Sequence, residues 1–216
     1  MQHAGFLSVL LYPPVSALLF LGLSRITLSA VDAETGIPKD GEPQAVVSEA
    51  GAIAPLFTAE VQRWGTQIVD WAVEHDLDPN LVATVMQIES CGDPGAVSPA
   101  GARGLFQVMP YHFVEGEDPH DPSINALRGL SYLRLSLDSF EGDAAMAMAG
   151  YNGGINGASR PQSEWAQETI GYMYWGANIY ADASAARESS PVLEEWMSSG
   201  GASLCAQAAG RLAAQP

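Results

Sequence analysis

Leu81–Pro110, LVATVMQIESCGDPGAVSPAGARGLFQVMP, decides the reading of this 216-residue chain, because it sets one carboxylate on an apolar helix face and then runs into a glycine-rich loop. Asp78 can cap the helix, Pro79 suits its first turn, and Leu81, Val82, Val85 and Met86 fall at helical spacing. Glu89 stands seven residues after Val82, four after Val85 and three after Met86, so it continues the inward stripe. Burial without a neighbouring cation disfavours the ionised carboxylate and raises its pKa toward the range of a general acid working near neutral pH. The alternative is a helix-end carboxylate turned to solvent, and spacing alone leaves both readings open.

Outward from this segment the chain reads as helix after helix. Phe57, Val61, Trp64, Ile68 and Trp71 make one amphipathic helix ahead of the Glu89 helix. Asp121-Pro122 opens another, with Ile124, Leu127, Leu130, Leu133 and Leu137 inside; Glu141-Gly142 breaks it and Asp143 caps the next. That helix, Ala144–Tyr151, stops at Asn152-Gly153-Gly154. A further one spans about Glu164 to Tyr180, and Ala181–Ser190 reads as a small-residue linker. No internal repeat and no run of alternating strands occurs, so the predicted fold is mainly α, with little beyond the Ser98–Gly104 loop able to pair as strand. Trp64, Trp71, Tyr132 and Phe140 lie on helical stripes and are assigned to the core. Tyr151 ends its helix, where a ring can pack while its hydroxyl meets a cleft. Tyr172, Tyr174 and Trp175 cannot all share one face; Tyr172, four residues after Glu168, is the one expected at a site.

Composition narrows the function. Twenty-five acidic residues against nine basic ones give a net charge of −16, which argues against nucleic acid and gives no electrostatic help on an anionic membrane or wall. A polymer would have to be held by shape, stacking and hydrogen bonds. GxGxxG, GxxxxGK[ST] and GxSxG are absent, and His112 and His120 near Asp118 and Asp121 lack metal-ligand spacing, so neither a cofactor nor a metal is expected. The apolar stretch Gly5–Leu23, broken by Pro13-Pro14 and followed by Arg25, marks residues 1–33 as a signal peptide or N-terminal membrane anchor. Val31-Asp32-Ala33 is its best cleavage site, and a Pro-rich, acidic linker at 34–55 follows. The expected location is periplasmic, wall-associated or extracellular. An even cysteine count in an exported chain suggests a Cys91–Cys205 disulfide tying down a helical extension at 182–216; two buried free thiols are the alternative.

Four segments, IES at Ile88–Ser90, AVSPAGARGLFQVMP at Ala96–Pro110, AGYNGG at Ala149–Gly154 and ETIGYMYW at Glu168–Trp175, resemble in order the successive motifs of the Slt-type lytic transglycosylases, a branch of the lysozyme-like superfamily. The resemblance implies a lysozyme-like domain over 56–181, peptidoglycan as substrate, and Glu89 as the sole catalytic acid/base. It also implies that Gly104-Leu105-Phe106-Gln107, with Phe where the family has Met, shapes the glycan cleft. Gly150-Tyr151-Asn152 would then turn its Tyr and Asn to the sugar, while Glu168-Thr169 with Tyr172 supports the site. Ser98, Gln107, Tyr151, Asn152, Glu168 and Tyr172 are accordingly the candidate substrate-binding residues. The expected reaction cleaves the β-1,4 bond between N-acetylmuramic acid and N-acetylglucosamine without water, leaving a 1,6-anhydromuramic end. A goose-type muramidase that recruits water and a non-catalytic wall-binding module are the alternatives. The chain is expected to act as a monomer on glycan strands, with its N-terminal apolar segment a candidate membrane tether.

Overall fold

The computed structural model describes residues 52–214; the expected signal or anchor at 1–33, and all but the end of the 34–55 linker, lie outside the described residues. The helices are α1 (Ala59–Gln62), α2 (Gly65–Glu74), α3 (Pro79–Glu89), α4 (Pro122–Ser139), α5 (Ala144–Gly153), α6 (Ile155–Ala158), α7 (Gln167–Ser184), α8 (Pro191–Trp196) and α9 (Ala202–Ala213). Among the described residues no strand forms, and antiparallel bridges at Val97–Arg103 and Arg103–Val108 are the only β pairing. The mainly α fold is thus the one expected. No helix among the described residues is long and apolar enough to cross a membrane.

Three helix starts follow directly from local chemistry. Asp78, Asp121 and Asp143 each accept a hydrogen bond from a backbone amide of the first turn of α3, α4 and α5, and a Pro opens both α3 and α4. Such a cap contributes about 1 kcal/mol by pairing an otherwise orphaned N–H. The helices close over Ile68, Leu81, Met86, Leu105, Phe106, Leu130, Leu133, Met148 and Ile179, all fully buried. Helix α3 packs against α1, α2 and α7, which places Glu89 beside the core rather than on an outer face.

Four expectations need correction. The Phe57–Trp71 run is two helices, α1 and α2, parted at Trp64, whose ring still stacks on Trp71 while its indole N–H donates to the Gly92 carbonyl at 2.9 Å. On α4, Leu127 is exposed and Ile124 only half-buried, while Asn125, Ala126, Gly129, Leu130, Leu133 and Ser136 face inward. The rotation follows from Asn125, which must reach the backbone of the preceding loop; orphaned buried amides cost more than one exposed leucine. Helix α7 runs on through Ala181–Ser184, because alanine is the best helix former, and ends before Ala186 at φ +51°. The end of the expected linker belongs to the domain: Ile53 and Ala54 are buried, and Asn80 Oδ1 and Gln62 Nε2 bind the Ala54 N–H and carbonyl, each at 2.7 Å.

The C-terminal extension docks beside the end of α3. Cys205, Ala208 and Leu212 form the buried face of α9, and Cys205 is disulfide-bonded to Cys91 with their Cα atoms 5.1 Å apart, the pairing expected. Arg211 adds an ion pair at 3.1 Å to the buried carboxylate of Asp93. Between the two ties, the fully buried Gln87 accepts from the Thr58 amide at 3.1 Å and turns its amide N–H toward the disulfide.

Candidate active site

Glu89 is the last residue of α3, half-buried, and the chain reverses just after it through Cys91 and Gly92 at φ +50° and +79°. Loss of water pushes its carboxyl up to about 8, the Tyr172 hydroxyl beside it draws it partly back, and the charge of Glu168 raises it further. Tyr172 is buried, and its hydroxyl and the Trp175 indole N–H are the two buried side-chain polar atoms without a formed hydrogen bond among the described residues. A spare donor therefore stands next to Glu89 from the core side. At pH 7 the arrangement holds Glu89 mostly as the neutral acid, which is the donor form.

Above Glu89 opens a cleft of about 340 Å³. Five of the six expected binding residues line it: Ser98, Gln107, Tyr151, Asn152 and Glu168. Tyr172 lies outside the lining and reaches the acid from within. Asn152 accepts from Thr169 Oγ1 at 2.9 Å, while its amide N–H groups have no partner among the described residues. Tyr132, assigned to the core by its spacing, is half-buried and lines the cleft, as do His112 and Arg128. The rotation of α4 that turns Asn125 inward carries Tyr132 to this wall.

The Gly104–Gln107 loop is pinned by side chains from α4, α5 and the residue that caps α3. Ser90, next to Glu89, donates to the Leu105 carbonyl at 2.7 Å; Asn125 of α4 accepts from the Phe106 amide at 2.8 Å and donates to the carbonyls of Arg103 and Pro119 at 2.8 and 2.9 Å. Tyr151 of α5 donates to the Phe106 carbonyl at 2.7 Å. Gly129 makes room on α4, since a Cβ there would lie 2.6 Å from Phe106 Cβ and 3.1 Å from the Tyr151 hydroxyl. Ser90 and Asn125 escape a search for chemistry-bearing motifs. Their signals were the Ser paired with Glu89 and a polar residue beside an inward stripe.

This geometry alters what Tyr151 is expected to do. Its ring lines the cleft, but its hydroxyl proton is committed to Phe106 rather than offered to a sugar. Tyr151→Phe should therefore cost about 1–3 kcal/mol of stability by stranding a buried carbonyl. Turnover should fall less than about tenfold, because the ring wall stays in place. Paired thermal denaturation and single-turnover measurements check this, and an unchanged melting temperature with a hundredfold slower reaction would return the hydroxyl to direct substrate contact.

Three of the four side chains considered for a metal, Asp118, His120 and Asp121, have partners within the fold. Asp121 caps α4, Asp118 accepts from the His120 amide, and the His120 ring lies 3.0 Å from the Pro94 carbonyl. Glu60, Cys91 and Cys205 converge within 4.8 Å, but both sulfurs are spent in the disulfide.

The span that holds this site is similar to known proteins. Residues 67–170 match the family described as the transglycosylase SLT domain. A protein of Enterobacteria phage PRD1 named Transglycosylase is 37% identical over 112 residues, which cover 51% of this chain and 40% of that protein. The X-ray structure of an inactive mutant of the lytic transglycosylase Slt from Pseudomonas aeruginosa aligns with a TM-score of 0.46 at 22% identity, covering 58% of this chain and 24% of that one. The chain thus spans less than half the length of either protein. Glu89, the Gly104–Gln107 loop and Tyr151-Asn152 all lie inside residues 67–170, the span of this chain that is similar to the transglycosylase SLT domain.

Proposed function

We propose that this protein is a peptidoglycan lytic transglycosylase that acts outside the cytoplasm, with Glu89 as its single acid and base. The observation that carries the reading is the cleft above Glu89, where burial holds one carboxyl protonated at neutral pH. Glycosidases that work by two carboxylates need one acid and one ionised nucleophile or base flanking the bond. The other carboxylate lining this cleft, Glu168, is exposed on the first turn of α7 and adds only the smallest contribution to the Glu89 shift.

In the proposed reaction Glu89 gives its proton to the oxygen of the β-1,4 bond as that bond breaks. The acetamide of the muramic residue supports the cationic centre, and the ionised Glu89 then takes the proton of the C6 hydroxyl as that oxygen bonds to C1. Glu89 is regenerated neutral, no water is consumed, and the product carries a 1,6-anhydro bridge. Asn152, with amide protons to spare, would hold the acetamide or a sugar hydroxyl, and Ser98 and Gln107 the neighbouring ring. Mass spectrometry of digested sacculi tests this. Fragments 18 Da lighter than the hydrolytic products are expected, since water is not added; free reducing ends would assign the goose-type hydrolytic route, and no release of fragments would leave a wall-binding module.

A further inference from the structure

We propose that Tyr111, backed by His112, is the face of an outer sugar subsite at the mouth of the cleft, taking a pyranose ring of the glycan away from the bond that breaks. The inference rests on the proposed glycan-cleaving function and adds a binding residue to it. Pro110–His112 form one tight turn directly after the loop that lines the cleft. Tyr111 is 75% exposed, has no hydrogen-bond partner among the described residues, and still borders the cleft. One exposed tyrosine alone would need no explanation.

What distinguishes Tyr111 is its place in a row. Its ring lies 4.5 Å from His112, His112 lies 5.4 Å from Tyr132, and Tyr132 lies 5.9 Å from Tyr151, centroid to centroid. Tyr151 in turn is near enough to Glu89 to feel its charge. The row thus leads from the acid to the surface, and Tyr111 ends it with a free face. The segment after Tyr111 is also fastened. Arg128, on the helix that carries Tyr132, donates through Nε to Glu117 at 2.9 Å, and Glu117 accepts from the Val114 amide at 3.0 Å. An aromatic face held in place before the ligand arrives loses little freedom on binding, and the apolar C–H face of a pyranose matches it. A chain of net charge −16 has no electrostatic grip on an acidic polymer, so stacking at the mouth adds to the shape and hydrogen bonds of the inner cleft.

Calorimetry on the full chain with Glu89→Gln, which removes turnover, tests the subsite with chitohexaose and chitotriose as probes. Tyr111→Ala should weaken chitohexaose binding roughly three- to tenfold and leave chitotriose, short enough to stay in the inner cleft, unaffected. Tyr111→Trp should restore the longer ligand. Undiminished chitohexaose binding in Tyr111→Ala, or equal weakening of both probes, would overturn the subsite while leaving the proposed reaction standing. Binding of neither probe by the Glu89→Gln chain with Tyr111 intact would overturn the glycan cleft and the subsite together.

Discussion

Replacing Glu89 by Gln is expected to reduce turnover by roughly a thousandfold or more and, at the same time, to stabilise the fold. The first effect follows because the amide keeps the shape but can neither give nor recover the proton. The second follows from linkage. In the folded protein the carboxyl titrates at about 8, against an ordinary 4.5, so the folded state binds an extra proton between those values. Stability from this group is therefore complete below pH 4.5, declines as pH rises, and stays at its reduced level above 8. Because Glu89 is only half-buried, water recovers part of the penalty, and about 1–3 kcal/mol at alkaline pH is a fair expectation. Melting curves of the two proteins should coincide near pH 4 and separate by several degrees near pH 9, with Gln the more stable. Activity should fall as pH rises through about 8, when the donor form is lost. Turnover within tenfold of the parent chain would end the assignment, and coincident melting at both pH values would show that Glu89 is well hydrated.

Opening the Cys91–Cys205 bridge is expected to be the largest single loss of stability. Closing a loop of 114 residues restricts the unfolded chain by about 4–5 kcal/mol, a large share of the roughly 5–15 kcal/mol that holds a domain together. The loss should also reach the chemistry. Cys91 stands two residues beyond Glu89, so an undocked α9 leaves the last turn of α3 less restrained and Asp93 without its Arg211 partner. Denaturant titration with and without a thiol reductant measures the first effect, and turnover under the same conditions the second. Coincident titrations, or two alkylatable thiols in the unreduced, denatured protein, would rule the bridge out.

The parts of this fold legible in the sequence were those fixed by local chemistry. The Asp78, Asp121 and Asp143 caps and the inward stripe ending at Glu89 each follow from a few neighbouring residues. The division at Trp64 was not legible, because the stripe continues across it while the indole N–H bonds a carbonyl 28 residues away. Nor was the rotation of α4, which Asn125 imposes through bonds to Arg103, Phe106 and Pro119. The same nonlocal cause misplaced Tyr132. A place at a helix end and the family resemblance put Tyr151 at a cleft, but only tertiary structure reveals where its hydroxyl points. Five of the six candidate binding residues come together in one cleft, but which partner each side chain takes was not legible, because hydrogen-bond partners are chosen in space.

The disulfide also fixes an order of assembly. Ser98, Gln107, Tyr132, Tyr151, Asn152, Glu168 and Tyr172 all come after Cys91 and before Cys205 in the chain. As synthesis proceeds from the N-terminus, the first sulfur is made directly after Glu89 and its mate only when every other wall of the cleft already exists. A nascent chain halted anywhere in that interval can fold α3 and still have nothing to join it to. Trapping the thiols of chains in transit would therefore date completion of the domain around Glu89, because both sulfurs coexist only in chains whose cleft residues have all been made.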